Sequence, residues 1–313
     1  MSGGVGLDVS VGFALETTAG TRVAPDTFFE VRNENLTGEQ TILPRKGMGG
    51  GRGMVRGKRL GNRNVGGGIS MDLRAAGMAD LLRLILGGDP TPSGTDPYTR
   101  VFAGGADLPT ATWQIQRAFS PTQIATFDYT GCMANGWSIT QNPGDYADFQ
   151  LDLLGREVVT DQTAATFAPP AELGIFTFED LTVTTPDGAG EFDSVTIAGS
   201  NTIEAAFKVG GGTPGRAKTR RNGMTAVTGT LAGDFDDLDA YSRHLAGTEG
   251  TLTLAYSLGA SQSLTFEMNI VYMEGNSPQV AGEGVVKQGI PFMALSETDD
   301  ATALTVTLVN EEE

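Results

Sequence analysis

The sequence is poor in the residues that do chemistry. It holds one cysteine, Cys132, and one histidine, His244, which excludes an internal disulfide and leaves a Cys/His zinc site without partners. Aromatic residues make up only 7% of the chain, and no stretch approaches the eighteen or so consecutive apolar residues of a bilayer-spanning helix. Met1 to Thr18 lacks the basic start and apolar middle of a secretory signal, so a protein made and kept in a cytoplasm, without membrane insertion, is expected. Positive charge is scarce as well. Against 38 Asp and Glu stand 21 Lys and Arg, a formal charge of −17, and such a molecule repels nucleic acid and anionic lipid unless its cations are concentrated locally.

What the chain has in quantity is glycine, 44 of 313 residues, which with frequent threonine suits a turn-rich all-β protein. A hydrophobic share of 39% is enough for one large or two ordinary cores. Periodicity points the same way. Ala147, Phe149, Leu151 and Leu153 alternate with Asp148, Gln150 and Asp152, the pattern of a half-buried strand. The pattern returns at Leu252 to Leu258, at Leu264 to Ile270 and at Leu304 to Leu308, predicting antiparallel sheets with one wet face. Two segments break it. Met78, Leu81, Leu82 and Ile85 fall at helical spacing before a Gly87-Gly88 stop. In the second, Asp236 and Asp237 precede a stripe of Leu238, Tyr241 and Leu245, with Arg243 and His244 in the last turn and Gly247 as the stop.

The two helices stand in equivalent places. Gly67 to Leu73 aligns with Gly229 to Phe235 at a shift of 162 residues, and each half reads as strand, basic Gly-rich loop, strand ending in Asp, helix, then strands. This predicts two tandem β-sandwich or half-barrel units, 1–165 and 166–313, each with one short helix and a long basic loop. Shared turn chemistry between two unrelated β domains is the alternative.

The loops hold the concentrated cations. Residues 45–63 carry Arg45, Lys46, Arg52, Arg56, Lys58, Arg59 and Arg63 without an acid, and 210–223 carry Arg216, Lys218, Arg220 and Arg221. A cationic loop on one subunit is attracted to the anionic body of the next, so these residues are candidates for contacts between subunits. Gripping of DNA competes, but neither loop interleaves aromatics for base stacking. Around Gly57-Lys58 the next residue is Arg59, so a P-loop fails, and Gly210, Gly212 and Gly215 match a dinucleotide spacing without an apolar helix behind them. Asp234 to Asp239 begins like a calcium loop, yet positions six and twelve are Asp239 and Leu245. His244 has no nucleophile with a supporting motif, Cys132 reads as a buried apolar residue, and Glu311 to Glu313 reads either as a solvated end or as a tail reaching a neighbour's basic loop. No catalytic residue, cofactor or metal is expected.

Three stretches carry a family resemblance. Gly12-Phe13-Ala14-Leu15-Glu16-Thr17-Thr18-Ala19-Gly20-Thr21 resembles the opening of many tail tube proteins of long-tailed phages. Tyr129 to Cys132 with Gln150 to Gly155, and Ile290 to Leu295 with Leu304 to Val309, resemble later parts of that family. The resemblance implies a virion protein, assembled in the host cytoplasm, whose sheets join those of neighbours into a closed barrel around a lumen. It also implies a long loop reaching the adjacent subunit or ring. Its partners would be other copies of itself, tail tip, tape measure and tail terminator proteins, and double-stranded DNA in transit. Many family members carry one tube unit per chain and form six-membered rings. Two units per chain would give a trimer with pseudo-sixfold symmetry, with a hexamer as the alternative. A single-ring connector or terminator and the inner tube of a contractile injection machine are the other structural readings, and a carbohydrate- or DNA-binding module is the non-virion one. A lumen that passes DNA needs a wall that does not bind phosphates, and the acidic balance permits one.

Overall fold

The computed structural model of the chain describes residues 6–47, 55, 57–104, 107–120, 123–170, 174–209, 215–273, 283–296 and 303–312. Arg52, Arg56, Gly210, Gly212 and Glu313 lie outside them. The fold is mainly β with two short helices. In the first half the strands are β1 (Ser10–Leu15), β2 (Thr27–Phe29), β3 (Asn33–Glu34), β4 (Thr37–Pro44) and β5 (Lys58–Asp72). Helix α1 (Met78–Leu86) follows, then β6 (Tyr98–Ala103), β7 (Ala111–Ser120), β8 (Gln123–Gln141), β9 (Asp148–Gly155) and β10 (Glu157–Thr160). The second half has β11 (Leu181–Thr185), β12 (Gly188–Ala189), β13 (Ser194–Ser200), β14 (Ile203–Ala206), β15 (Lys218–Arg221) and β16 (Ala226–Asp234). It continues with α2 (Asp239–Ala246), β17 (Gly250–Ser257), β18 (Ser263–Tyr272), β19 (Lys287–Ala294) and β20 (Leu304–Asn310).

The strands read from alternation form as expected. Phe149, Leu151 and Leu153 of β9, Leu252, Leu254 and Tyr256 of β17, Leu264 to Ile270 of β18 and Leu304, Val306 and Leu308 of β20 send their apolar side chains into one core, while Leu258 falls beyond the end of β17 and stays exposed. At roughly 25 cal/mol per Å2 of apolar surface, that burial is the main stabilising term in a chain without disulfides.

All pairings among the described residues are antiparallel, and their order in the first half recurs in the second. β1 pairs with β2 and β7, β7 with β8, β8 with β9 and β10, β9 with β5, and β5 with β4. Correspondingly β11 pairs with β12 and β17, β17 with β18, β18 with β19 and β20, β19 with β16, and β16 with β13. The register repeats too. Trp113 faces Tyr129, and 139 residues further on Leu252 faces Met268. The shift drops from 162 to 139 because residues 87–110, including β6, link α1 to β7, whereas only 247–249 link α2 to β17. The extra strand β6 pairs with β20 of the other half, covering a sheet edge that would otherwise offer unpaired backbone groups.

The β8 strand serves two layers. Its first part, through Cys132, pairs with β7 and β10; from Met133 it pairs with β9, across a register shift at Ala134/Gly136, and from Gly136 with β13. Between the layers Phe13 stacks on Trp113 at 4.7 Å. The Glu16 carboxylate of the opening motif organises the turn at one end. Buried, it accepts hydrogen bonds from the Gly20 and Gly131 backbone N–H groups and the Thr110 and Thr112 hydroxyls at 2.6–2.8 Å. Gly131 reaches it at φ +62°, where a side chain would be strained.

The helices differ in burial. In α1 Met78, Leu81, Leu82, Leu84, Ile85 and Leu86 are buried, and Gly87 ends it. In α2 nothing is buried: Leu238 and Leu245 are 60% and 67% exposed, so the sequence stripe does not face this chain's core. Asp237 accepts from the Asp239 N–H, Gly247 caps the far end at φ +62°, and His244 Nδ1 lies 2.8 Å from the Tyr272 carbonyl. In the described part of the acidic tail Glu311 is exposed, whereas Glu312 is held against its own chain. The Glu312 carboxylate receives the Gly77 N–H at the start of α1, and Arg100 donates to the Glu312 carbonyl, a placement favoured by the helix dipole.

Candidate functional site

Two surfaces stand out, a sheet face and a pair of cationic hairpin arms. The sheet runs without a break through β3, β5, β9, β8, β13, β16 and β19, crossing from one half of the chain to the other where β13 meets β8. Side chains alternate across a strand, so one face holds Ile69, Phe149, Leu151, Ile139, Val195, Ile197 and Leu231 in the core, and the other looks outward. Register puts the outward residues in rows. One row reads Asn33, Ser70, Gln150, Ser138, Ala198, Thr228, Met293, and the next reads Asp72, Asp148, Thr140, Thr196, Thr230, Pro291.

The outward face is therefore small, hydroxylated and nearly free of cations. Its strands contribute Asp72, Asp148, Asp152 and Asp234. Arg32 pairs with Asp72, Asp145 and Asp148, and Lys287 pairs with Asp193 and Asp234. Part of the face is hollowed. Asn35, Gly68, Ser70, Gly136, Ser138 and Asp152 line a depression of about 350 Å3, where two of these lining residues are glycines without side chains to fill it.

The basic segments are β-hairpins in their described parts, not loops throughout. In the first, β4 and β5 pair out to Pro44 and Lys58, and the Arg45 N–H donates to the Gly57 carbonyl. Arg45, Lys46, Lys58 and Arg59 are exposed, whereas Arg63 is drawn back to Glu157, the Val158 carbonyl and Gln40. Ile42, Leu43, Val55 and Leu60 are each more than half exposed on the same arm. In the second arm β14 pairs with β15, Arg220 bridges Glu204 at 2.9 Å, Arg221 bonds Thr225, and Lys218 is exposed.

Arg216 has a different fate. It donates to the Val65 and Gly155 carbonyls of the first half at 2.6 and 3.1 Å. Burial of the guanidinium pushes its pKa down. Arg156 answers by donating to the Arg216 and Ala217 carbonyls. Sequence reasoning passed over Arg156, an isolated cation beside Gly155 in a resemblance-bearing stretch, because its partners lie about 60 and 137 residues away.

With this geometry in hand, comparison with known proteins can be read: a family model described as phage tail tube protein matches residues 6–294. No curated protein matches the chain.

Proposed function

The chain belongs to the phage tail tube protein family, and from that premise we propose that it carries two tube units, 1–165 and 166–313, and that three copies close a ring of six such units. Rings stack into the tail tube, and double-stranded DNA passes through the lumen. The recurrence of the pairing order and register in the two halves supports the duplication. The single observation that carries the ring is the unbroken sheet across β8 and β13, because a sheet that already passes from unit to unit within a chain needs only the same step between chains to close a barrel. In this reading the outward face of that sheet is the lumen wall. A Ser/Thr/Gly face with its few cations paired to aspartates gives phosphates no counterion-releasing contacts, so DNA slides without sticking. Tail tip, tape measure and terminator proteins are the partners at the ends and inside the tube.

Negative-stain electron microscopy over a range of concentrations tests this. Hollow tubes or stacked rings are the expected result. Rings that never stack favour a connector, and a soluble monomer with saturable binding of duplex DNA at physiological salt contradicts the conduit.

A further inference from the structure

The segment that joins the two halves is bound to the first half at two places. One lies on the face of β7 and β8 turned away from the core residues Trp113 and Ile115. There Gln114 donates to the Thr163 carbonyl at 3.1 Å and accepts the Ala165 N–H at 2.8 Å, Gln116 donates to the Ala165 carbonyl at 2.6 Å, and the Thr126 hydroxyl donates to the Gln162 carbonyl at 2.7 Å. All four bonds go to main-chain atoms of the segment. Gln114 and Gln116 are buried, so their amides need that backbone as a partner. Under the 139-residue shift Gln114 corresponds to Thr253 and Gln116 to Ala255, neither of which carries an amide. The clamp therefore belongs to the half that the segment crosses. The other place is a plug between the halves. Phe176 donates its N–H to the Leu73 carbonyl at 3.0 Å and accepts the Ala147 N–H at 3.1 Å, both in the first half, while its buried ring lies 5.4 Å from that of Tyr256 in β17 of the second.

We propose, resting on the tube reading above, that this segment, through residues 162–165 and Phe176, is a strap that fixes the angle between the two units, so that a chain enters the ring as a preformed arc. The β8–β13 and β6–β20 pairings already join the halves strand to strand, but adjacent strands twist against each other by a variable angle, roughly 10–35°. The strap attaches at residues outside both seams and removes that freedom. A flexible tether would leave the angle to be ordered during assembly, which raises the protein concentration that assembly needs. Because only main-chain atoms are read at 162–165, the residues beneath the strap matter and its own side chains do not.

Hydrogen exchange read by mass spectrometry on the full-length protomer, combined with tube yield by sedimentation, tests this. Wild-type peptides over 162–165 and 174–178 are expected to exchange slowly. The variant Q114A/Q116A is expected to lose that protection at 162–165 while β9 and β17 keep theirs, and to need at least about tenfold more protein to form tubes. A165P removes the N–H that Gln114 accepts and leaves β7 intact; it is expected to behave likewise, and it decides the matter should Q114A/Q116A misfold. T163A/T166A, which alters only exposed side chains, is expected to match the wild type in both readouts, and loss of protection there overturns the main-chain reading. Wild-type 162–165 exchanging like an unstructured peptide overturns the strap. Loosened variants that form tubes at the wild-type concentration overturn its role in assembly and leave the tube reading standing. Wild-type protein that keeps the strap protected yet forms no tubes at any concentration overturns the tube reading and the assembly role together.

Discussion

At the scale of single residues, the opening motif has a physical explanation in Glu16, whose buried carboxylate accepts four hydrogen bonds from three separate segments. The substitution E16A strands those donors, and we expect it to cost about 3 kcal/mol of unfolding free energy in urea titrations. A change near zero would show that the turn is held otherwise. Cys132 makes a second prediction. Complete burial pushes its thiol pKa up, while the unfolded thiol titrates near ~8.5. Above that pH the unfolded state sheds a proton the folded state keeps, so stability falls with rising pH by about 1.4 kcal/mol per unit. Replacing Cys132 with Ala removes this first alkaline slope, leaving the loss that begins near pH ~10 from buried Tyr256 and from Tyr272, whose phenol is pushed up to about 12. An unchanged slope between pH 8.5 and 10 in the variant contradicts the assignment. The burial of Cys132 was legible in its strand context. The role of Glu16 was not, since its partners are up to 115 residues away.

At the scale of elements, what the sequence made legible was whatever depends on neighbours along the chain. Alternation located β9, β17, β18 and β20, and glycine stops located the ends of α1 and α2. What it hid depends on contacts across the chain. The stripe of α2 looks like that of α1, yet only α1 is buried. The basic segments read as loops because glycine and arginine dominate them, but backbone pairing makes β4, β5, β14 and β15 strands. Helix burial is testable by calorimetry on the protomer: L82A in α1 is expected to cost about 2–5 kcal/mol, and L245D in α2 less than about 0.5. Equal effects would mean α2 is packed after all. The arm is testable by charge reversal. The triple variant R45E/K58E/R59E alters only exposed side chains, so the protomer should fold and elute as the wild type does while no tubes form. Tubes of normal yield would remove the arm from assembly.

At the scale of the whole molecule, the formal charge of −17 is divided into cationic arms and an acidic remainder. Attraction between arm and neighbour is screened within about 8 Å at physiological salt, so tube yield should fall as sodium chloride is raised, measured by sedimentation. The proposed wall depends on the pairing of its few described cations, Arg32 and Lys287, with aspartates. Introducing T196K and T230K together leaves the core face of β13 and β16 untouched, so tubes should still form but should retain duplex DNA at low salt, where wild-type tubes retain none. The measurement that bears most directly on the central claim is a cryo-electron-microscopy reconstruction of the assembled tube without imposed rotational symmetry. The account predicts three chains per ring, a pseudo-sixfold wall, and Ser138, Thr196 and Thr230 facing the lumen. Six chains per ring, or those three residues on the outer surface, would contradict it.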